Sequence, residues 1–408
     1  MTPVCAGYPD EQFIEIDKVV IVQPSPKTLE LIDTLIGFDT TSRHSNLELI
    51  EFIRAYLGDL GVESELVYDA SGAKANLYAT LGPTDRPGYA LSGHTDVVPV
   101  DGQPWSTEPF KVCAKDARLY GRGTSDMKSF IAICLALTPE FLAKEIDTPL
   151  HLAFSYDEEI GCVGVRGLLE RLASREIKPK GCIVGEPTMM KVIRAHKGKL
   201  SYRCHVRGRE AHSSLIEQGV NAVEAAAEAV AYLKSMQRRI RDNGPYDDEL
   251  DPPYTTVHTG TLHGGTALNI VALAAKFEFE FRHLAQDDPH ALLAELQSHI
   301  EQHILPEMHA VDAHSGFEFE QLSHIPGLDV DENAEIVQLA KALTGANSTG
   351  KVAFGTEAGL FQQIAGIPTI VCGPGSIEQA HKPDEFIALD QIVQGEAFVR
   401  KLFARCWQ

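Results

Sequence analysis

Four short apolar runs in this chain each lead into a glycine or a polar residue, and helical patterns separate them. The runs are Tyr89–Ser92, Leu150–Tyr156, Gly181–Val184 and Pro368–Cys372. Residues 127–142 carry apolar side chains at three- and four-residue spacings, which is typical of a helix. Alternating short strands and helices are typical of an α/β domain. We therefore predict a mixed, largely parallel sheet flanked by helices.

A different order of elements occupies residues 192–322. Strand patterns cover 199–206, 254–262, 274–284 and 317–322, and helical patterns cover 221–240 and 289–304. This βαββαβ order predicts a small, ferredoxin-like domain inserted into the first. The predicted boundaries give a catalytic domain whose first part is 1–191, an inserted domain at 192–322, and the second part of the catalytic domain at 323–408.

Composition excludes several classes of partner. The chain has 408 residues and a formal net charge of −21, which disfavours nucleic acid and anionic membranes as partners. No stretch approaches the roughly 18 apolar residues of a membrane span, and the first residues lack the basic and apolar pattern of a signal peptide. The eight cysteines are scattered without C-x-x-C spacing, which indicates reduced thiols in a cytoplasmic protein.

Histidines and acidic residues recur just after the predicted strands and at the start of the intervening helix. Open α/β sheets bind ligands outside the carboxyl ends of their strands, so we expect these side chains to meet in one crevice. They are His94 and Asp96 in SGHTDVVP, Asp126 in GRGTSDMK, Glu158 and Glu159 in SYDEEIG, Glu186 in GEPT, and His381 in GPGSIEQAHKPDE.

This donor set has the chemistry of a metal site. Taken singly, each residue has an ordinary explanation, such as a helix N-cap for Asp126. Together, two imidazoles and several carboxylates without a thiolate suit zinc, and also cobalt or manganese. Five candidate ligands are too many for one tetrahedral ion, but they fit two divalent ions that share a carboxylate and a bridging water. The five are His94, Asp126, Glu159, Glu186 and His381. A further carboxylate beside them can act as general base.

As a set, SGHTDVVP, GRGTSDMK, DEEIGCVG, GEPT and GPGSIEQAHKPDE resemble the motifs of a co-catalytic zinc hydrolase family. That family includes acetylornithine deacetylase, succinyl-diaminopimelate desuccinylase, aminoacylase and carboxypeptidase G. The resemblance covers nearly the whole chain after its first 26 residues, and HGGTALNIV and FGTEAGLFQ resemble the acetylornithine deacetylase branch in particular. It implies a di-zinc peptidase-like catalytic domain and an inserted lid and dimerisation domain. The implied reaction is cleavage of the amide bond of an N-acyl amino acid, N2-acetyl-L-ornithine in arginine biosynthesis.

The resemblance also implies a role for each metal ligand. His94 and Glu186 would bind one ion, and Glu159 and His381 would bind the other. Asp126 would bind both.

Two further residues would support the chemistry. Glu158 would be the general base, and Asp96 would hydrogen-bond the imidazole of His94 and fix its tautomer. The family has a cis peptide bond after its bridging aspartate, which here predicts a cis Asp126–Met127 bond.

Three residues of the inserted domain match family positions that contact substrate. His212 in GREAHSS would cross from the partner subunit of a homodimer to stabilise the oxyanion. Asn269 and Arg282 would hold the α-carboxylate of the substrate and nearby polar atoms.

Substrate choice depends on a later group of residues. Glu357 in FGTEAGLF would meet a cationic side chain such as that of ornithine, although an acid at a helix N-terminus is an equally ordinary explanation. The desuccinylase branch carries an arginine a few residues further on, which this chain lacks. We also expect Gly375 and Ser376 to contact the substrate.

Other readings remain open at the level of sequence. Within the same family the alternatives are an aminoacylase, a desuccinylase, and a dipeptidase or carboxypeptidase. Outside catalysis they are an amino-acid-binding protein that has lost its activity, and a structural homodimer whose metals only stabilise the fold.

Overall fold

The computed structural model describes residues 23–408, which divide into two compact units. The first unit comprises residues 23–194, 330–350 and 356–408, and the second comprises residues 195–329 and 351–355. Residues 1–22 of the predicted catalytic domain lie outside the described part of the chain. The domain boundaries after residues 191 and 322 stay predictions.

The described chain contains these elements in order. The first stretch forms α1 (Pro26–Ile36), α2 (Leu47–Asp59), β1 (Ser64–Tyr68), β2 (Ala75–Leu81), β3 (Tyr89–His94), β4 (Cys113–Lys115), β5 (Arg118–Tyr120), α3 (Lys128–Leu142), β6 (Leu150–Ser155), α4 (Val165–Ala173), β7 (Gly181–Pro187) and β8 (Ile193–His196). The middle stretch forms β9 (Gly198–Arg207), β10 (Ala211–His212), a 3₁₀ turn (Ser213–Gln218), α5 (Ala222–Asn243), β11 (Thr256–Gly264), β12 (Ile270–Val271), β13 (Ala274–His283), α6 (Pro289–His299), a π-helical turn (Ile300–Ile304), α7 (Leu305–Val311), β14 (Gly316–Ile325) and β15 (Leu328–Asp329). The last stretch forms α8 (Glu335–Thr344), β16 (Gly350–Val352), α9 (Ala358–Ala365), β17 (Thr369–Gly373), β18 (Phe386–Ala388) and α10 (Leu389–Cys406).

The first unit is built on a mixed sheet in which β1, β2, β6, β3, β7 and β17 follow one another. The last four run parallel, and they are the four strands predicted from the sequence. β2 pairs antiparallel with both β1 and β6. The prediction of a mixed α/β sheet is therefore confirmed. Because the four parallel strands are neighbours, their carboxyl ends lie along one edge of the sheet.

Helix α3 brings the 121–126 loop to that edge. The helix is apolar on nearly every face because it is enclosed, with Phe130, Ile131 and Leu135 all buried. It packs against α1 and α10. A Cβ at Gly185 of β7 would lie 2.1 Å from the ring of Phe130, so only glycine allows the helix to approach the strand this closely.

The second unit has the predicted βαββαβ order. Its antiparallel sheet has the order β11, β13, β9, β14, which is that of a ferredoxin-like fold. Along β13, Phe277, Phe279 and Phe281 are buried and join the core beneath α5. The alternate residues are more exposed, and Glu278 pairs there with Arg203 of β9. This period of two follows from the pleat of a strand with one buried face.

The cysteines correct one expectation. Cys113 carries a disulfide, so the prediction of reduced thiols is wrong for this residue. Sequence spacing gave no signal, because a disulfide depends on Cα atoms brought close by the fold. The free, buried cysteines of the described chain are Cys134, Cys162, Cys182, Cys204, Cys372 and Cys406. Across residues 23–408, every helix is too short or too polar to span a membrane.

Candidate metal centre

His94 is the last residue of β3, and its imidazole is buried. Its Nδ1 lies 2.9 Å from the backbone carbonyl of Asp96, which assigns the ring proton to Nδ1. The Nε2 atom lies 3.0 Å from Oδ1 of Asp126 and 3.7 Å from Oε1 of Glu186. The Nε2 atom therefore faces a cluster of carboxylates.

Asp96 organises the turn that follows β6. Its Oδ1 accepts the backbone N–H of Glu158 at 3.0 Å, and its Oδ2 accepts the N–H of Glu159 at 3.3 Å and the hydroxyl of Ser42 at 2.7 Å. The resemblance predicts a hydrogen bond between the imidazole of His94 and Asp96. In the structure Nδ1 of His94 bonds the backbone carbonyl of Asp96, and the nearer carboxylate oxygen of Asp96 lies 3.5 Å from Nδ1. Asp96 thus links His94 to both acids of the turn.

Asp126 lies between two histidines, each of which faces a different carboxylate oxygen. Oδ1 is 3.0 Å from Nε2 of His94, and Oδ2 is 3.4 Å from Nε2 of His381. On the side of His381, Oε2 of Glu159 is 3.0 Å from the same Nε2 atom. Ligand atoms on one tetrahedral zinc ion lie about 3.3–3.6 Å apart, given bonds of about 2.0–2.2 Å. The 3.4 Å spacing lies within this range, and the two 3.0 Å spacings would widen by a few tenths of an ångström for one cation to bind on each side of Asp126. The Asp126–Met127 peptide bond is cis, as the resemblance predicts.

All five predicted ligands lie in this one cluster. Two overlapping groups have ligand atoms within 4.8 Å of one another: His94 with Glu158 and Glu186, and His94 with Asp126 and Glu159. His381 joins the second group through its contacts with Asp126 and Glu159. The parallel strands explain the convergence, since β3, β6, β7 and β17 all end at this edge.

The three glutamates of the cluster resist ionisation in the absence of a cation. Burial opposes ionisation of Asp126 as well, but hydrogen bonds to His381 and His94 outweigh it and lower the pKa of that residue. Burial, reinforced by neighbouring negative charge, raises the pKa of Glu158 to about 8 and that of Glu159 to about 7. Burial and the charge of Asp126 raise the pKa of Glu186 well above its usual value. A bound cation favours the ionised form of such groups. The donor set therefore fits divalent metal ions.

The pKa values of the two imidazoles are also raised, but for an imidazole this favours the charged form. Hydrogen bonds to Asp126 and Glu159 raise the pKa of His381 to about 10. Burial opposes protonation of His94, but the neighbouring carboxylates of Asp126 and Asp96 outweigh it and raise the pKa of this residue too. Protons on these rings occupy the place that a cation would take, and metal binding releases such protons.

Comparison with known proteins places this site in a family. Residues 90–405 match the model of Peptidase family M20/M25/M40. The chain belongs to this family. The acetylornithine deacetylase of Pasteurella multocida is 34% identical over 389 residues, which cover 93% of this chain and 98% of that protein. The acetylornithine deacetylase of Edwardsiella ictaluri is 33% identical over 392 residues and 96% of each chain. The prediction of a hydrolase of this family is confirmed.

Solved structures of the M20 family share the fold. An M20 family metallo-carboxypeptidase of Sulfolobus solfataricus superposes with a TM-score of 0.76 at 19% identity, covering 93% of this chain and 99% of that chain. A dinuclear metal-binding M20 peptidase of Bacillus subtilis superposes with a TM-score of 0.62 at 15% identity, covering 93% of this chain and 98% of that chain. At these identities the likeness concerns the fold.

In this M20 chain, His381 lies in the loop after β17 with an unusual backbone. Its φ of +62° is left-handed, which non-glycine residues adopt rarely and often at functional sites. Gly375 of the same loop has a φ of +90°, and a Cβ there would lie 2.6 Å from Oγ of Ser125. That hydroxyl also bonds the backbone N–H and carbonyl of Ser376, each at 3.1 Å. Gly375 and Ser376 thus hold the loop against residue 125, and their contact with substrate stays a prediction.

Glu357 is buried rather than open to solvent. Its Oε1 accepts the hydroxyl of Ser92 at 2.6 Å and its Oε2 accepts that of Ser155 at 2.7 Å. Burial raises the pKa of Glu357, and the two serine hydroxyls partly oppose that shift. The carboxylate therefore links β3 and β6 just before their carboxyl ends. Recognition of a cationic substrate group by Glu357 stays a prediction.

Replacing Glu357 with alanine is expected to lower the free energy of unfolding by about 2–4 kcal/mol, because the buried hydroxyl of Ser155 loses its acceptor and that of Ser92 keeps only the carbonyl of Ala153. Urea denaturation measures the change. The exposed Glu378 provides the control, since Glu378→Ala is expected to stay within about 0.5 kcal/mol of the wild type. Equal stability of the two variants would contradict a linking role for Glu357.

Three of the predicted substrate residues lie in the second unit. His212 is exposed, and its Nδ1 accepts the backbone N–H of Ser214 at 3.2 Å, which places the ring proton on Nε2. The backbone carbonyl of Asn269 accepts the N–H of Ser213. Arg282 is partly exposed on β13, and its Nε donates to Glu280 at 3.0 Å.

Sequence reasoning missed two residues that contact the centre. The thiol of Cys162 donates to Oε1 of Glu158 at 3.1 Å. Glu385 accepts the backbone N–H of Asp126 at 3.1 Å. Both lie inside the quoted motifs, DEEIGCVG and GPGSIEQAHKPDE, but neither spacing indicates what the side chain touches.

Proposed function

We propose that this chain hydrolyses the amide bond of N2-acetyl-L-ornithine to give L-ornithine and acetate, a reaction of arginine biosynthesis. One observation carries the proposal of two-metal amide hydrolysis: Asp126 directs its two oxygens at two different histidines, with Glu158 beside them. The substrate is inferred from the acetylornithine deacetylases, which are 32–34% identical over nearly the whole chain.

Two divalent ions, zinc in the first place and cobalt or manganese as substitutes, suit this set of ligands. His94 and Glu186 would hold one ion and Glu159 and His381 the other, with Asp126 shared. When bound, such a pair supplies a water of lowered pKa and polarises the acyl carbonyl.

Glu158 acts as general base and then as general acid. It takes a proton from the attacking water and later returns it to the nitrogen of the leaving amine. The Asp96 carboxylate fixes the backbone of Glu158, and the Cys162 thiol donates to its Oε1, so the carboxylate is held in one orientation.

Residues of the second unit complete the proposed cycle. The Nε2–H of His212 donates a hydrogen bond to the oxyanion in the centre of the partner subunit. Asn269 and Arg282 bind the α-carboxylate and adjacent polar atoms. The second unit closes over the substrate as a lid, which excludes water during the reaction.

A homodimer formed through the second unit follows from the role given to His212. Large apolar side chains are exposed there, which is typical of a surface that binds another protein. They include Leu215, Ile216, Leu262, Leu268 and Leu273. Light scattering that gives the mass of a single chain would refute this part of the proposal.

We also propose a cytoplasmic location, supported by the six free cysteines found within residues 23–408. The disulfide at Cys113 counts against it. Fractionation of the source cells tests this proposal: we expect the protein in the cytoplasmic fraction, and its recovery outside that fraction would refute the location.

The proposed substrate predicts a clear order of activities. We expect kcat/KM for N2-acetyl-L-ornithine to exceed that for N-acetyl-L-methionine, succinyl-diaminopimelate and simple dipeptides by at least about tenfold, or about 1.4 kcal/mol in transition-state binding. Initial rates with matched concentrations of each compound measure the order. If acetylornithine is the poorest substrate of the panel, the assignment of substrate fails.

Removal of metal is expected to abolish activity and lower stability together. An ion whose free concentration is about 1,000 times its dissociation constant stabilises the folded protein by about 4 kcal/mol. Chelation should therefore lower Tm by several degrees. Thermal unfolding before and after chelation, and after zinc is restored, measures this. Full activity in protein shown to be free of metal would contradict the proposed chemistry.

A further inference from the structure

Glu385 is a buried carboxylate that the proposed reaction does not use. It directly precedes β18, which pairs antiparallel with β5. Its backbone carbonyl accepts the N–H of Gly121 at 2.9 Å and so extends that ladder by one bond. This pairing fixes Glu385 beside the start of the 121–126 loop.

One oxygen of Glu385 holds the backbone of that loop. Oε1 accepts the N–H groups of Gly123 at 3.1 Å, Ser125 at 2.8 Å and Asp126 at 3.1 Å. Several N–H groups that converge on one anion fix the local backbone conformation. Because one of the three N–H groups belongs to Asp126, Glu385 fixes the backbone position from which the side chain of Asp126 extends.

The other oxygen connects the same network to the loop that carries His381. Oε2 accepts Nη1 of Arg122 at 2.6 Å, and both side chains of this ion pair are 1% exposed. Nη2 of Arg122 donates to Oε1 of Gln103 at 2.7 Å, and Nε2 of Gln103 donates to the carbonyl of His381 at 3.0 Å. Nη1 also lies 3.4 Å from the carbonyl of Lys382.

We propose that the Glu385–Arg122 pair positions Asp126 and His381 relative to each other and thereby sets the affinity of the centre for its second cation. Both ligands lie in loops outside regular strands and helices, and His381 is half exposed with a left-handed backbone. Their 3.4 Å separation therefore depends on side-chain contacts, and this network touches the backbone of each. The proposal rests on the proposed function, which requires two cations.

The test is a calorimetric titration of metal-free, full-length protein with zinc alone. Glu385→Gln keeps the size of the side chain and one carbonyl acceptor but removes the charge that faces Arg122. We expect the weaker of the two zinc dissociation constants to rise about 10–100-fold, as is typical when a residue that supports a metal ligand is changed. Arg122→Lys should have the same effect, because one ammonium group cannot reach both Glu385 and Gln103.

Two further variants keep the test decisive. Gln103→Ala removes a partly exposed side chain, so it tests the connection to His381 even if Glu385→Gln does not fold; we expect a rise of up to about tenfold. Glu396→Gln is the matched control, since Glu396 is also buried and paired with an arginine, Arg400, at 3.1 Å. Its zinc constants should equal those of the wild type.

The proposal is overturned if Gln103→Ala and any folded Glu385 variant bind two zinc ions as tightly as the wild type, or if Glu396→Gln loses as much affinity. Failure of the proposed function gives a different result: wild-type protein that binds two zinc ions but cleaves no N-acyl amino acid. In that case the zinc titration alone still decides whether Glu385 and Arg122 position the metal ligands.

Discussion

Asp126→Asn is expected to lower kcat/KM by at least about 10⁴-fold, because this one side chain faces both of the proposed metal positions. Its oxygens lie 3.0 Å from His94 and 3.4 Å from His381. An amide offers one oxygen and no charge, so it cannot serve two cations at once. The activated water and the polarised carbonyl are then lost together.

Metal analysis and steady-state kinetics on the same preparation measure this effect. Asp147→Asn is the control, since Asp147 is an exposed acid that pairs with Arg86 on the surface of the same unit. We expect the control to retain two ions and full activity. An Asp126→Asn protein that still holds two zinc ions would show that the shared ligand has been assigned to the wrong residue.

Glu158→Gln is expected to lower kcat by about 10²–10⁴-fold, the usual contribution of a general base, while both metal ions stay bound. Glutamine preserves the size of the side chain and the backbone bond to Asp96 but cannot take a proton. KM should change little, because the substrate does not need this proton transfer in order to bind.

The separation of metal content from rate is what makes this variant informative. Glu140→Gln, an exposed acid on α3 that pairs with Arg400, controls for loss of an acidic side chain. Glu158 lies close to His94 and Glu186. Loss of a metal ion in Glu158→Gln would therefore show that Glu158 is a ligand. An unchanged kcat would remove it as the base.

The convergence of the candidate ligands could be predicted because strand ends carry both a local and a global signal. His94, Glu186 and the Glu158–Glu159 pair each follow an apolar run, and parallel strands necessarily bring such positions together. The inserted βαββαβ unit was predictable for a similar reason, since its helical and strand periods are clear. The antiparallel strands β1 and β2 were not identified, although β2 is almost wholly buried.

Contacts between distant segments could not be predicted. Apolar residues recur at helical spacing between Lys27 and Leu60. The structure nevertheless has two helices there, α1 and α2, with a break around Thr41, which pairs with Val97 just beyond β3. No local period encodes that bridge. Nor does any spacing reveal that Glu357 is capped by two serines, or that Glu385 collects three N–H groups from the loop of Asp126.

The proposed chemistry depends on two cations, one on each side of Asp126. Anomalous diffraction at the zinc edge, from crystals of zinc-loaded protein, tests this most directly. We expect two peaks about 3.5–4 Å apart, one beside His94 and Glu186 and the other beside Glu159 and His381. A single peak in fully loaded protein, or zinc bound away from these side chains, would contradict the account.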